Sequence, residues 1–346
     1  MSLREALATV VGGQDLTRAQ AHDAMASLVA GDATPVQIGA FAVALRMKGE
    51  TPEEIAGLAE VMRDAATRVH AGPDVIDVVG TGGDGAGTFN ISTLSSLVVA
   101  SAGGRVAKHG NRGISSACGA ADYLEAIGVA IDLPPEGVAT CIQETGFGFM
   151  FAPLYHPAMR HAMVPRREIG VRTFFNILGP LTNPARTRRQ LTGVAAEALG
   201  STIASVHMLL GLEHALVVHG ADGLDELSIS GPTIVHEARG GQVASYTVEP
   251  ETFGLRRAPV GSVQGGTVDA NRQLADCVVA GEAGPARDVV LLNAGAALYV
   301  GGLAPSIADG VAAAAAAIDS GRAAAKLRQV VDVSQQARAR HLAGAA

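Results

Sequence analysis

The sequence predicts an α/β fold: a small N-terminal helical domain and a larger α/β domain, whose mainly parallel central sheet is flanked by helices. Two observations predict it. Residues 1–70 contain helix signals and no strand signal, and from Asp74 onward short β-branched runs that end in glycine alternate with helix-like segments. Such alternation is typical of parallel strands joined by crossover helices. We expect the helical domain to span residues 1–72 and the α/β domain residues 73–346.

The N-terminal helices are indicated by their first turns. Thr34 and Thr51 can each cap a helix, each is followed by proline, and Gln37 or Glu54 stands three residues further on. These are the features of a capped helix start. We expect about four helices here, forming a helical cap or a dimerisation surface. An arginine-rich insertion at about 160–190 is expected to pack back on them.

The strands of the α/β domain are indicated by runs that end in glycine. They are "VIDVVG" at 75–80, "RVAKHG" at 105–110 and "ALVVHG" at 215–220. In parallel sheets of this kind, ligands gather at the carboxyl ends of the strands. We therefore expect the functional residues directly after these runs. The alanine-rich stretch from Ser306 onward is expected to be helical, because alanine is the best helix former.

Composition and charge limit the kinds of partner. The formal net charge is −7, which argues against bulk binding to nucleic acid or to anionic membranes, since both need a basic surface. No stretch approaches the roughly 18 apolar residues of a membrane span, and the N-terminus lacks a signal-peptide pattern. The three cysteines have no CxxC spacing. We expect a soluble cytoplasmic protein that binds neither nucleic acid nor membrane.

A glycine-rich segment, "GTGGDGAGTFNIST" at 80–93, follows the first predicted strand. Its glycines match the GxGxxG pattern, but residues 86–121 contain no Asp or Glu that could hold ribose hydroxyls, which disfavours dinucleotide binding. No Lys-Ser or Lys-Thr follows, as a Walker P-loop requires. Glycines do let backbone N–H groups approach an anion, and a helix beginning near Asn90 or Ser92 would add more of them. The segment therefore predicts a phosphate-binding loop.

Two further clusters follow the other predicted strands. The segment "KHGNRGISS" at 108–116 combines cations, glycines, an amide and two serines, and it fits a second phosphate-binding segment. Asp225 and Glu226 follow the third strand, without neighbouring Cys or clustered His. Carboxylates of this kind suit Mg²⁺, which a polyphosphate ligand would bring with it. In the insertion, Arg166, Arg167 and Arg172 could each bind a carboxylate.

These clusters together resemble the anthranilate phosphoribosyltransferase family, one of the nucleoside-phosphorylase-like phosphoribosyltransferases. The matching segments are "GTGGD" at 80–84, "NIST" at 90–93, "KHGNRGISS" at 108–116, "GVRTFFNILGPLTNP" at 170–184 and "DGLDE" at 222–226. They occur in the family's order, and the resemblance extends from the N-terminal helices to about Gly302. It implies a transfer of the phosphoribosyl group from 5-phosphoribosyl 1-diphosphate (PRPP) to the amine of anthranilate, in tryptophan biosynthesis. It also implies Mg²⁺ and a homodimer formed through the helical domain.

The resemblance assigns site residues by position. For PRPP they are Gly80, Gly83, Asp84, Thr88, Asn90, Ile91, Ser92, Thr93, Lys108, His109, Gly110, Asn111, Arg112, Gly113, Ile114, Ser115, Ser116 and Ala120. For anthranilate they are Gly80, His109, Asn111 and Arg166, with Arg166 pairing with the carboxylate and His156 expected at the entrance. For Mg²⁺ they are Ser92, Asp225 and Glu226. No general base is expected, because an aromatic amine keeps its lone pair at neutral pH; catalysis would be electrostatic, through Lys108, Asp225 and Glu226.

One departure from the family and two competing interpretations stand beside this one. The family commonly has Ser-Gly-Ser-Ala-Asp where this chain has "CGAAD" at 118–122, so Ala120 offers only its backbone. Loss of one neutral hydrogen bond would weaken PRPP binding by about 0.5–1.5 kcal/mol. A pyrimidine nucleoside phosphorylase shares the implied fold but would not need the acidic pair. A non-enzymatic nucleic-acid binder would need a basic face, which the net charge of −7 disfavours.

Overall fold

The computed structural model describes residues 1–113 and 117–345 of the chain. The α-helices are α1 (Leu3–Val11), α2 (Arg18–Ala30), α3 (Pro35–Lys48), α4 (Pro52–Asp64), α5 (Ile91–Ser101), α6 (Ala120–Ala126), α7 (Pro135–Thr145), α8 (Ala152–Tyr155), α9 (Arg160–Ile169), α10 (Phe174–Ile177), α11 (Gly200–Leu209), α12 (Val268–Val279), α13 (Pro285–Val300), α14 (Ile307–Asp319) and α15 (Arg322–Ala345). The strands are β1 (Ile76–Gly80), β2 (Val106–Gly110), β3 (Phe147–Phe151), β4 (Arg189–Gly193), β5 (His214–Gly220), β6 (Thr233–Arg239) and β7 (Gln242–Val248).

The helices predicted in the first 70 residues are confirmed as α1 to α4. Their first turns explain their starting points: the Thr34 hydroxyl accepts the N–H of Gln37, and the Thr51 hydroxyl accepts the N–H of Glu54. In each case the N3 side chain reaches back to the cap residue, which completes a capping box. The helix predicted after Ser306 is also confirmed, since α14 begins directly after that residue.

The seven strands form one sheet in the order β3-β2-β1-β4-β5-β6-β7. The first five are mutually parallel, and the three strands predicted from the sequence are β1, β2 and β5. The antiparallel strands β6 and β7 were not predicted. Gly240 and Gly241 join them with positive φ at both positions, as a two-residue hairpin requires, so the Gly-Gly pair was a usable signal.

Two hydrophobic cores lie on opposite faces of the sheet. Because side chains alternate along a strand, β5 contributes Leu216 and Val218 to one core and Ala215 and Val217 to the other. The first core contains α5, α12 and α13 side chains; the second contains those of α1 to α4 together with Ala162 and others from the arginine-rich insertion. The insertion therefore packs beside the N-terminal helices. The domain boundary at residues 72 and 73 stays a prediction.

The chain order of the strands creates a crevice at one edge of the sheet. β1 is paired with β2 on one side and with β4 on the other, so the connections leave in opposite directions at this point. All five parallel strands end at the same edge. Ligands bind at such a switch point in open α/β sheets, and the glycine-rich segment follows β1 directly into it.

Candidate active site

The glycine-rich loop is shaped by backbone conformations that other residues rarely adopt. Four of its glycines, Gly82, Gly83, Gly85 and Gly87, have φ between +62° and +77°. Gly80 is required for a different reason, because a Cβ there would collide with the carboxylate of Asp225. The N–H of Gly82 donates to Asp225 Oδ2 at 2.7 Å. The loop thus approaches the acidic pair, 143 residues away in the chain.

The far half of the loop is fixed by a segment that sequence reasoning missed. Phe89 N–H donates to the carbonyl of Val263 at 3.1 Å, and Gly265 N–H donates to the carbonyl of Gly87 at 2.9 Å. Asn90 N–H donates to Oδ1 of the buried Asn271 at 2.9 Å. The helix expected near Asn90 or Ser92 is confirmed, since α5 begins at Ile91 with Asn90 as its N-cap residue.

The side chains in the first turn of α5 differ in their exposure to solvent. Ser92 is partly exposed, whereas Ile91 and Thr93 are buried, with exposed fractions of 1 % and 0 %. A contact from Thr93 to a ligand would therefore have to come from its backbone. The N–H of Ile91 already donates to the carbonyl of Phe89 at 2.7 Å. The predicted contacts of these three residues with PRPP stay predictions.

Lys108 lies beneath the loop and is only 2 % exposed. Its Nζ donates to the carbonyl of Val78 at 2.5 Å and to Ser92 Oγ at 3.1 Å. Burial lowers the pKa of Lys108, and the carboxylates of Asp77 and Glu226 oppose that effect. The ammonium group thus holds the Ser92 hydroxyl and interacts electrostatically with Glu226. Its predicted contact with a phosphate group stays a prediction.

The two adjacent acids of the site have raised pKa values, mainly because both side chains are buried. Burial raises the pKa of Asp225 to about 7, and the neighbouring Asp84 contributes to that rise. Burial also raises the pKa of Glu226 well above its usual value, with Asp225 adding repulsion and Lys108 opposing it. Carboxylates crowded in this way are stabilised as anions by a bound cation. The electrostatics of this edge therefore favour a divalent metal ion.

The donor atoms also fit Mg²⁺. Within residues 1–113 and 117–345, three or more His, Cys, Asp or Glu side chains nowhere converge as a ready metal cage. Mg²⁺ does not need such a cage, because it usually takes one or two carboxylates, several waters and substrate phosphates. The oxygens of Asp225, Glu226 and Ser92 form a set of that kind. The ion is compatible with the residues present.

The acidic pair is held in place by an asparagine that sequence reasoning missed. Asn293 of α13 accepts the N–H of Leu227 through Oδ1 and donates to the carbonyl of Leu227 through Nδ2, both at 2.9 Å. The side chain is fully buried. A single polar residue in the apolar run "VVLLNAGAALYV" was the available signal. It anchors the backbone next to Glu226.

The second predicted phosphate segment follows β2. Arg112 lies over the ring of Phe151 at 5.5 Å and donates to Asp122 at 2.9 Å and to Glu125 at 2.8 Å. Residues 108–113 form the described part of the segment, and Ala120 is the first residue of α6. The predictions for Ile114, Ser115 and Ser116 lie outside the described residues. The individual PRPP contacts in this segment stay predictions.

Two buried histidines, predicted at the anthranilate side, lie together. The ring centroids of His109 and His156 are 4.9 Å apart. Burial lowers the pKa of His109 to about 3 and that of His156 to about 4, so both rings are neutral at pH 7. Nε2 of His109 has no hydrogen-bond partner among the residues that the structure describes. The two rings thus form a buried, uncharged pair.

Two neighbouring arginines of the insertion lie near the glycine loop, and Arg172 contacts it directly. Arg166 is partly buried at the end of α9; burial lowers its pKa, and the nearby Arg172 adds to that effect. The Arg172 guanidinium lies against Gly83, where a Cβ would collide with it. Arg167 is exposed. Two neighbouring guanidinium groups favour an anionic ligand here, and a carboxylate pairing with Arg166 stays a prediction.

The fold and the site define a glycosyl transferase with two parts. The helical bundle domain of a glycosyl transferase family matches residues 4–66, and the a/b domain of the same family matches residues 72–324. The chain is 56% identical, over 97% of its length and 99% of the relative's, to the anthranilate phosphoribosyltransferase of Chloroflexus aurantiacus. It therefore belongs to the anthranilate phosphoribosyltransferase family, and the resemblance inferred from its motifs is confirmed.

Solved structures agree with this assignment. The anthranilate phosphoribosyltransferase (TrpD) of Thermus thermophilus is 45% identical, with a TM-score of 0.90 over 95% of this chain and 99% of that one. The Saccharomyces cerevisiae enzyme, solved in complex with PRPP and Mg, is 26% identical, with a TM-score of 0.87 over 96% and 98% of the two chains. The predicted fold class is confirmed. None of the helices in the described residues is long and apolar enough to cross a membrane.

Proposed function

We propose that this protein transfers the 5-phosphoribosyl group of PRPP to the amine of anthranilate, which yields N-(5-phosphoribosyl)anthranilate and pyrophosphate in tryptophan biosynthesis. One observation carries the proposal. The glycine-rich loop, the buried Lys108 and the pair Asp225 and Glu226 meet at a single edge of the sheet. The family membership of the chain supports the choice of substrates.

PRPP would be held by the loop and by the start of α5. The positive-φ glycines other than Gly82, whose N–H binds Asp225, can bring backbone N–H groups to phosphate oxygens without interference from side chains. The N-terminus of α5 adds the partial positive charge of a helix end. Arg172 adds a full charge where it contacts Gly83. The second segment, after β2, would hold the remaining phosphate groups.

Mg²⁺ would be held by Asp225, Glu226 and Ser92. When bound, it supplies charge neutralisation for the pyrophosphate leaving group. The protein's own contribution is to hold the carboxylates in place and to limit the rise of the pKa of Glu226: Lys108 opposes that rise, and Asn293 fixes the adjacent backbone. Asp225 is held against the loop by the N–H of Gly82. Electrostatic stabilisation of developing charge is thereby prepared before the substrate arrives.

Anthranilate would lie between the neutral histidines and Arg166. Its amine needs no general base, so the uncharged state of His109 and His156 is compatible with the reaction. Arg166 would pair with the carboxylate, and Asn111 would help to orient the ring. Holding the amine next to C1 of the ribose converts an encounter between two substrates into a reaction within one complex.

The test is a fluorescence assay with purified protein, anthranilate, PRPP and Mg²⁺, with EDTA as control. We expect a Mg²⁺-dependent loss of anthranilate fluorescence that is stoichiometric with the release of pyrophosphate. If PRPP binds but anthranilate is not consumed, the acceptor is a different amine. If neither substrate binds, the proposed function is wrong.

We also propose that the protein is a homodimer formed through the helical domain. Exposed apolar side chains on this part of the surface support the proposal: Val36 of α3 is 80% exposed and Met163 of α9 is 65% exposed, and α3 and α9 pack together. Light scattering on the intact protein should give twice the chain mass. The double variant Val36→Asp/Met163→Asp should give a monomer, whereas Leu342→Asp on α15, also at an exposed position, should leave the dimer intact.

The cytoplasmic location stays part of the proposal, to be checked by cell fractionation.

A further inference from the structure

Asp122 joins the two ends of the segment that lies between β2 and α6. Its Oδ2 accepts the N–H of Gly113 and the N–H of Gly119, both at 2.9 Å. Its Oδ1 accepts Nη1 of Arg112 at 2.9 Å. One carboxylate therefore connects chain positions that are nine residues and three residues away from it.

The two ends that Asp122 joins are in direct backbone contact. A Cβ on Gly119 would collide with the backbone of Arg112 and Gly113. The N–H of Ala121 donates to the carbonyl of Asn111 at 3.2 Å. Because the two stretches of chain lie this close, their N–H groups point at the same side chain. Only a group that accepts several hydrogen bonds at once can satisfy them, and an ionised carboxylate does so with charge-assisted bonds.

The carboxylate is ionised at neutral pH. Burial raises the pKa of Asp122, but the N–H groups of Gly113 and Gly119 and the guanidinium of Arg112 outweigh burial, so the pKa lies below its usual value. The side chain is only 22% exposed. Glu125 also forms an ion pair with Arg112, but its side chain is 55% exposed, so this ion pair lies at the surface. Asp122 is thus the acid that contacts the backbone.

The same segment is attached to the glycine-rich side of the site. Nδ2 of Asn90, the N-cap residue of α5, donates to the carbonyl of Cys118 at 3.2 Å. Cys118 directly precedes Gly119, which Asp122 binds. The position of α6 is therefore coupled through Asp122 to both predicted phosphate-binding segments.

We propose that Asp122 is a positioning residue for PRPP: it sets the backbone at residues 112–113 and 119–120, and it acts through these residues. The inference rests on the proposed function. An aspartate near the start of a helix also stabilises that helix, as a cap and by the helix dipole. That role alone would change the stability of the fold and would treat both substrates alike. The hydrogen bond to Gly113 distinguishes the two roles, because Gly113 lies outside the helix and is not needed to cap it.

The test compares three variants of the full chain: Asp122→Ala, Asp122→Asn and Glu125→Ala. The first removes every acceptor; the second keeps one oxygen for the two N–H groups; the third removes only the surface partner of Arg112. For each we would measure kcat, the KM values for PRPP and anthranilate, the Tm, and calorimetric binding of PRPP in Mg²⁺.

We expect Asp122→Ala to raise the KM and the Kd for PRPP at least about tenfold, with the KM for anthranilate changed less than about twofold. Asp122→Asn should fall between it and the parent, and Glu125→Ala should stay within about twofold of the parent. The proposal is overturned if Asp122→Ala binds PRPP like Glu125→Ala, or if both KM values rise together as the Tm falls. If the parent binds PRPP but does not consume anthranilate, the proposed function fails, and the calorimetric series still tests Asp122.

Discussion

The two halves of the site respond to burial in opposite ways. On the proposed donor side, burial raises the pKa of Asp225 to about 7 and that of Glu226 well above its usual value. On the acceptor side, burial lowers the pKa of His109 to about 3 and that of His156 to about 4. The physical cause is the same, since a buried group resists its charged form. Its consequence differs: the acidic pair favours a bound cation, whereas the histidine pair, proposed to lie on the acceptor side, is uncharged.

This contrast matches the proposed chemistry. A diphosphate needs neutralisation as it leaves, and crowded carboxylates recruit the metal ion that provides it. An aromatic amine needs orientation more than it needs a base. The comparison teaches that an acidic pair and a histidine pair in one site need not be acid–base partners. Four substitutions test this division, in order of decreasing effect.

The largest effect is expected at the acidic pair. Glu226→Gln removes a charge from the proposed metal ligands, so turnover should fall by at least about 100-fold and the Mg²⁺ response should weaken. Steady-state rates at a series of Mg²⁺ concentrations measure both changes. The exposed Glu282→Gln is the matched control and should behave like the parent. An unchanged Mg²⁺ dependence would remove Glu226 from the metal site.

The next effect is expected at the acceptor side. Arg166→Ala should raise the KM for anthranilate by about 10- to 100-fold, because the proposed pairing with the carboxylate would be lost, while the KM for PRPP changes little. The neighbouring exposed Arg167→Ala is the control and should change neither value. If Arg166→Ala affects only PRPP, the partner of the anthranilate carboxylate is Arg167 or another residue.

A smaller effect is expected on stability against pH. The pKa of His156 is about 4 in the folded chain and 6.5 ordinarily, so the unfolded chain binds the extra proton first as the pH falls. The stability from this group is present above pH 6.5 and is lost toward pH 4, by about 2 kcal/mol between pH 7 and 5. His156→Gln should remove that part of the pH dependence in urea unfolding. The exposed His341→Gln should not, and equal curves for His156→Gln and the parent would contradict the assignment.

The smallest effect is expected where the chain departs from its family. Ala120→Ser adds the hydroxyl that the family commonly has at this position, and it should lower the KM for PRPP by about two- to tenfold, the value of one neutral hydrogen bond. Ala126→Ser, at an exposed position of the same helix, is the control. No change in the KM would mean that the side chain at position 120 does not face the substrate.

Much of the fold and of the candidate site could be predicted. Capping boxes are local, so the starts of α3 and α4 followed from Thr34 and Thr51. The strands before the glycine-rich loop and before the acidic pair could be predicted for a similar reason, since each is a short β-branched run that ends in glycine. The antiparallel hairpin was not predicted, although the pair Gly240 and Gly241 is typical of its turn.

The contacts that organise the site were beyond such reasoning. Asn271, Asn293 and Asp122 are ordinary polar residues in sequence, and only their hydrogen bonds to distant backbone show what they do. The direction of Lys108 was equally unpredictable. A cation at the end of a strand can point outward to a ligand or inward, and packing turned it toward Val78 and Ser92.

The sequence by itself determined the local features: glycines that permit positive φ, the adjacent acids after β5, and an order of segments shared with one family. The tertiary structure decided which of these features contact each other. Gly82 binds Asp225 across 143 residues because the register of five parallel strands brings their ends to one edge. Local conformation depends on residues that are close in the chain, so it can be predicted from the sequence. Register and burial depend on the packing of the whole sheet, and burial in turn sets the charges at the site.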